Sequence, residues 1–459
     1  MQRKISLDLL TPGAGNPLLS QQSVGLADEQ QDELSAELLA HTSEPQKQTE
    51  LAAKHDFAGK FKHVEIVDRL KGYVRAQASM REALKEGQTF DPAWLPEAAP
   101  ISINLDITTA CNYACDHCVD KEILNQPIKY DHQRLLDSLR TMTERGLRSV
   151  IVIGGGEPTV YPKFSETLRY MKELGLQVAV VSNGSGQKKI EEIADCLDED
   201  DWVRLSLDSA HDPTFIAMHK PKRPITLDQI CEPVKGIKAI NPAFQFGYSY
   251  IITWKGASIN DTNIVENLHE MVAGAERAKR FGFDYISFKP FLTRAPENNA
   301  EIVDLDEETE RFEEVMRTIR QYIDEAKTLQ TDSFKVIEST NLRVLENRSH
   351  RQFMRQPRQC HMQFFRQILS PLGLYNCPVY RNQPQGKLND KDGYATEDGL
   401  RQTLQNTGLL IRNFNATREC RQVTCLYNHV NWWIEDLIEN PEKLDALHAD
   451  ETREADFFF

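Results

Sequence analysis

ISINLDITTACNYACDHC, residues 101–118, is a strand-like run followed by three cysteines, Cys111, Cys115 and Cys118, spaced by three and then two residues. Working outward, strand and helix signals alternate. DHQRLLDSLRTMTERG (131–146) offers Asp131 as N-cap, Leu135, Leu139 and Met142 on one face, and Gly146 as its stop. SVIVIGG (149–155) reads as a buried strand, and FSETLRYMKELG (164–175) as a helix that buries Phe164, Leu168 and Met171. QVAVVS (177–182), WVRLSL (202–207), FGYSYII (246–252), YISFKPF (285–291) and FKVIES (334–339) continue the strands, with a long helix over 305–329.

Strands alternating with helices imply βαβ units, right-handed crossovers and a parallel sheet. The expected fold is α/β, a parallel (β/α)6 partial barrel over residues 96–345. An N-terminal, mostly helical extension (1–95) precedes it, and a small C-terminal α+β domain (346–459) follows. In the extension, residues up to about 50 read as loosely ordered, and 51–87 as helix on the spacing of Val64, Val67, Leu70 and Val74. In the last domain, FFRQILSPLGLYNC (364–377) reads as a hairpin and 429–449 as helix. The terminal Asp456-Phe457-Phe458-Phe459 is either a docked tail or a partner-binding motif. Active sites of parallel barrels lie at the C-terminal ends of the strands, where the first cysteine loop begins.

The formal charge of −15 argues against nucleic acid as a partner. No apolar run reaches the ~18 residues of a membrane span, and the N-terminus lacks a signal-peptide pattern. The expected location is the cytoplasm. There nine cysteines are not a disulfide framework. Cys196 and Cys231 stand alone and read as small hydrophobes. The other seven form two sets.

A [4Fe–4S] cluster held by protein alone takes four thiolates, so three leave one iron open to an outside ligand. Zinc is the rival. His117 would complete a four-ligand set, but it sits directly beside Cys118, unlike usual zinc spacings. The second set, Cys360, Cys377, Cys420 and Cys425, has gaps of 16, 42 and 4 residues. Four thiolates can saturate a cluster or hold zinc.

Cys111-x3-Cys115-x2-Cys118, after a strand and Asp106-Ile107-Thr108-Thr109, closely resembles the radical S-adenosylmethionine (radical SAM) superfamily. Gly154-Gly155-Gly156-Glu157-Pro158, one βα unit later, resembles that family's GGEP motif. The resemblance implies that SAM chelates the open iron and is cleaved by an electron from the cluster. The resulting 5′-deoxyadenosyl radical then takes a hydrogen atom from the substrate. It further implies SAM contacts at His117, at Gly154 to Pro158, at Ser182 and Asn183, and at Ser206 and Asp208.

The late cysteines resemble the auxiliary-cluster domains of this superfamily, SPASM and the shorter twitch form. Their pattern is most similar to that of aminocyclitol dehydrogenases, although the last gap is wider. The implied cofactors are two [4Fe–4S] clusters and SAM. The second cluster would relay an electron, and flavodoxin or ferredoxin would serve as donor. Arg343, by its place before Cys360, and Lys289, at a strand end, are the candidate proton acceptors. The leading expectation is hydrogen abstraction from a small polar metabolite, such as a sugar or aminocyclitol, leading to oxidation or rearrangement. A peptide-modifying enzyme and a non-enzymatic zinc-binding module are the alternatives.

Overall fold

In a computed structural model, seven strands lie side by side in chain order, all parallel: β1 (Ser102–Leu105), β2 (Ser149–Val152), β3 (Gln177–Ser182), β4 (Trp202–Ser206), β5 (Gln245–Ile252), β6 (Tyr285–Pro290) and β7 (Lys335–Glu338). The structure describes residues 16–19, 56–259, 262–294, 301–302 and 310–459. These strands are apolar along most of their length because helices cover them. Val150, Val152, Val178, Val180, Val203 and Leu205 are fully buried. The α/β reading and the parallel sheet hold, and FKVIES supplies the further strand that its pattern suggests, the seventh in this parallel run.

The helices between strands follow the sequence signals. Asp131 caps the helix His132–Glu144 by accepting from Arg134 N at 3.1 Å, and Leu135, Leu139 and Met142 are buried. Gly146, at φ +101°, turns the chain out of that helix in a conformation that favours glycine. The helix Glu310–Lys327 buries Phe312, Ile319 and Ala326. Its Arg320 and Lys327 meet Glu338 at the end of β7, Arg320 Nη2 standing 2.8 Å from Glu338 Oε2. Burial raises the Glu338 carboxyl, but Arg320 and then Lys327 outweigh it and bring it to about 2, below its ordinary 4.5. A lowered carboxylate pKa stabilises the fold fully above the unfolded value. This contribution is complete above pH 4.5 and is lost as pH falls toward about 2. Glu338→Gln is expected to flatten the acid side of a stability-against-pH curve in that window, measured by urea denaturation.

The sheet does not end at β1. β8 (Arg366–Ser370) pairs with β1 in parallel, Ser102 lying opposite Arg366. β9 (Gly373–Tyr375) and β10 (Lys387–Asn389) then add antiparallel strands. The expected hairpin therefore forms, but within one ten-stranded open sheet whose edges are β7 and β10.

Two sequence expectations need correction. Val64 is 53% exposed and precedes the helix, which runs Val67–Lys85. The helix read over 429–449 breaks at Asn440, because Pro441 starts a new short helix, Pro441–Asp445. Of the segment up to about 50, only residues 16–19 are described. There Asn16 is buried and donates to the backbone of Gln385 and Lys387, and the rest of the loosely ordered reading lies outside the described residues.

The terminal aromatics are docked. Phe457 and Phe459 are buried in a cluster with Phe57, Phe61 and Phe365, and the Phe61 ring lies 4.6 Å from Phe365 and 4.8 Å from Phe459. Ser149 Oγ donates to Phe457 O at 2.6 Å, and Gln177 Nε2 to Ala455 O at 2.7 Å. Ser149 and Gln177 begin β2 and β3, so the tail crosses the N-terminal ends of the strands, opposite the cysteine loop. Truncating a fully buried Phe leaves a cavity and costs about 3–5 kcal/mol. Phe61→Ala should lower unfolding free energy by about that amount in a denaturant titration.

Candidate functional site

β1 hands the chain directly to the first cysteine loop. Asp106 N continues the ladder to Leu369 O at 2.8 Å, and Asn125 then ties the loop's return: Asn125 N donates to Thr109 O (2.7 Å) and Cys111 N to Asn125 Oδ1 (3.1 Å). The loop rests on the end of helix Asp212–His219 and the segment that follows it. Ala114 N donates to His219 O (3.2 Å), and Lys222 Nζ to Cys111 O (2.7 Å). All three cysteines are half-buried. Burial, then the neighbouring Cys118 and Cys111, push the Cys115 thiol well up. Its Sγ lies 3.3 Å from His219 Nδ1.

The glycine turn lies directly beneath this loop. Gly154 and Gly155 take φ +89° and +70°. Gly156 needs to be glycine for closeness: a Cβ there would stand 2.2 Å from Ala110 O. Glu157, fully buried, accepts from Thr159 N (3.0 Å), Thr159 Oγ1 (2.6 Å), Ser182 Oγ (2.7 Å) and Asn183 N (2.7 Å). Asn183 Nδ2 reaches Asn112 Oδ1 at 2.9 Å, and Asn112 Nδ2 donates to Ser185 Oγ at 2.8 Å. The ends of β2 and β3 and the cysteine loop are thus one hydrogen-bonded unit. Pro158 is buried and starts the turn Pro158–Val160.

Asp208, just past β4, is buried in the left-handed conformation at φ +51°, and its Oδ1 accepts from Ile251 N at 2.7 Å. Its Oδ2 lies 3.3 Å from both His117 Nε2 and His219 Nε2. Burial pushes the Asp208 carboxyl up, but His117 and His219 outweigh this and hold it well below the usual carboxylate range. His117 Nδ1 is buried and makes no hydrogen bond.

The remaining single candidates are scattered. Ser206 is half-buried at the end of β4, opposite Ser249. Lys289 is half-buried on β6, and Arg343 is half-buried in the helix Thr340–Glu346 after β7. A cleft of about 640 Å³ opens beside Cys111, lined also by Asn112, Ser185, Lys222 and Arg223; neither Lys289 nor Arg343 lines it.

The four late cysteines come from three places: Cys360 before and Cys377 after the β8–β9 hairpin, and Cys420 and Cys425 in the stretch that follows the short helix Ala416–Glu419. All four line one cavity, with Arg366 and Tyr427 among its other walls. Burial, then Cys377, push Cys360 up to about 12. Burial, then Cys360 and Cys377, push Cys420 and Cys425 up as well. Asn431 Nδ2 stands 3.6 Å from Cys360 Sγ. Gathered protonated thiols in a buried pocket gain little from one another. A bound cation that draws off their protons resolves the clustering. Three thiols in the loop after β1 and four around this cavity are the donor chemistry that a metal takes.

Sequence reading did not single out His219, Asp120, Lys222 or Arg381. His219 meets Cys115 across 104 residues of chain, a separation that no local pattern reports. Arg381 lies four residues after Cys377, and its Nη1 stands 2.8 Å from Asp106 Oδ1.

An open parallel sheet with a three-cysteine loop at the end of its first strand and a glycine turn after its second defines a radical SAM domain. Residues 105–261 match the radical SAM superfamily, and this part of the chain is such a domain. The family's cofactors are SAM and a [4Fe–4S] cluster.

The chain is similar to the S-adenosylmethionine-dependent nucleotide dehydratase of Thermoplasmatales archaeon (strain ISO4-H5), 32% identical over 113 residues, covering 24% of this chain and 38% of the relative. It is also similar to the mycofactocin maturase MftC of Mycobacterium tuberculosis (strain CDC 1551 / Oshkosh), 34% identical over 114 residues, covering 24% and 28%. The match thus spans well under two thirds of either relative. Among solved structures, SuiB of Streptococcus suis aligns with TM-score 0.46 and 13% identity over 65% of this chain and 64% of that one. No helix among the described residues is long and apolar enough to cross a membrane.

Proposed function

We propose that the chain is a radical SAM enzyme with two iron–sulfur sites that acts on a small polar metabolite. The observation that carries the two-site reading is that four cysteines from distant segments line one buried cavity, apart from the three in the loop after β1. Cys111, Cys115 and Cys118 would hold a cluster with one iron left for SAM. Cys360, Cys377, Cys420 and Cys425 would saturate a second. When bound, the first cluster supplies the electron that cleaves the SAM sulfonium.

The protein's own groups do the positioning. Glu157 locks the ends of β2 and β3 against the cysteine loop through Ser182 and Asn183. The three glycines let the turn pack closely against Arg381 and the cysteine loop, with Gly155 N bonded to Asp120 and Glu157 N to Ala110 O, so the turn is held rigidly beside the loop. Asp208, held ionised, and His117 add a polar pair beside Cys118. The cleft beside Cys111, with Lys222 and Arg223 in its walls, suits a compact anionic or polar molecule. The likeness to a nucleotide dehydratase supports a small substrate, and the likeness to a mycofactocin maturase favours a peptide as the second reading. The saturated site has no open coordination position, so its fitting role is to take or pass an electron.

Anaerobic reconstitution with iron, sulfide, SAM and a reductant tests this. The expected result is about eight irons per chain, two clusters of four, and formation of 5′-deoxyadenosine. Deuterium transfer into it from labelled nucleotides or sugars, against labelled peptides, would separate the two substrate readings. Zinc without iron at both sites would overturn the proposal in favour of a zinc-binding module.

A further inference from the structure

Asp106 and Asp120 flank the first cysteine loop, one just before it and one just after. Both carboxylates are buried, with side-chain exposures of 0% and 5%. One guanidinium bridges them. Arg381, itself 7% exposed, places Nη1 2.8 Å from Asp106 Oδ1 and Nη2 2.7 Å from Asp120 Oδ1. Asp120 Oδ2 in turn accepts from Gly155 N at 3.0 Å. Gly154 leaves the space that Arg381 fills, since a Cβ there would lie 2.1 Å from Arg381 Nη1. The planar fork of arginine suits this double contact, and lysine could not reproduce it.

Arg381 is not part of the radical SAM segment. It belongs to the late-cysteine region and lies one tight turn after Cys377. That turn is stiff: Tyr380 N donates to Cys377 O at 3.1 Å and Arg381 N to Pro378 O at 3.3 Å. Tyr380 is pinned further, its OH donating to Glu419 O (2.7 Å), next to Cys420, and its ring packing 5.1 Å from Phe414. The position of Cys377 therefore sets where the guanidinium can reach.

We propose that Arg381 is a positioning residue that couples the two cysteine sites, so that filling the late site anchors Cys377 and thereby clamps the two ends of the first cysteine loop. The proposal rests on the reading that the late cysteines bind an iron–sulfur cluster. It predicts that order in residues 107–119 depends on metal bound elsewhere. It also predicts that the first site fills less readily when the late site is empty.

The test uses the full chain carrying Cys111→Ala, Cys115→Ala and Cys118→Ala, so that only the late site can take iron. Amide hydrogen exchange of residues 107–119 is measured before and after anaerobic loading. Loading is expected to slow exchange there by about tenfold, within the usual range of coupling between sites. Arg381→Met on the same background should erase the difference. If that variant does not fold, Arg381→Lys, which keeps the charge but not the fork, should at least halve it. No slowing on loading, or equal slowing in the Arg381 variants, overturns the coupling. Failure of the metal reading is seen separately, as absence of iron in the loaded sample. The clamp is then still read in the metal-free chain, where Arg381→Lys should speed exchange at 107–119 about tenfold and unchanged exchange refutes it.

Discussion

Cys118→Ala is expected to abolish 5′-deoxyadenosine formation, lowering it at least ~1000-fold, a barrier increase of about 4 kcal/mol. Two thiolates would not hold a cluster that needs three, and the loop contains no fourth cysteine to substitute. Cys118 is half-buried in a loop, so its truncation should change fold stability by only ~1 kcal/mol or less. Loss of activity with an intact denaturation curve is therefore the signature. Iron per chain should fall by about four, the content of one cluster, while the late site keeps its share. Cys196→Ser, at a half-buried cysteine outside both sites, serves as the control and should leave cleavage unchanged. Wild-type iron content and cleavage in Cys118→Ala would remove the first cluster from this loop.

Gly156→Ala should be nearly as damaging, by a different route. The added methyl would lie 2.2 Å from Ala110 O and 2.7 Å from the carbonyl carbons of Ala110 and Thr109. These are backbone atoms, which cannot rotate aside, and they lead into Cys111. Glu157 N already donates to Ala110 O at 2.9 Å, so the contact is part of how the two loops fit. The loop must shift by about 1 Å, a displacement that costs on the order of 100-fold in rate when it reaches reacting groups. Overpacking of this kind costs about 1–3 kcal/mol in stability. The change in the reduced cluster's electron paramagnetic resonance on adding SAM should weaken in parallel with the rate. Gly72→Ala provides the contrast: a Cβ there meets nothing within 4 Å, in the middle of a helix. It should stabilise the chain by about 0.5–1 kcal/mol. A wild-type SAM response in Gly156→Ala would show that the glycine turn and cysteine loop are not mechanically joined.

Local patterns in the chain were enough to read most strands and helices. The strand Gln177–Ser182 and the helix Phe164–Glu173 lie where periodicity places them, because burial of one face imposes a short repeat. Errors arose where a local pattern competed with a neighbour. Val64 has helical spacing to Leu70, yet the chain turns before Val67 and leaves it exposed. Pro441 interrupted an otherwise helical run. At the site, the three clustered cysteines and the glycine turn were legible because their chemistry is written in adjacent residues. The contacts of His219 with Cys115, and of Arg381 with Asp106 and Asp120, were not, because each joins segments far apart in the chain.

The sequence by itself determined that strands and helices alternate, that a thiol-rich loop follows the first strand, and that four further cysteines lie near the end. Periodicity and motif spacing are local properties, set by backbone geometry and side-chain chemistry over a few residues. Only the tertiary structure decided that β8 pairs with β1, that the four late cysteines face one cavity, and that one buried guanidinium reaches from their loop to both ends of the first. Those outcomes depend on which distant surfaces bury each other, and a buried arginine finds its carboxylates only after the sheet has brought the two loops together.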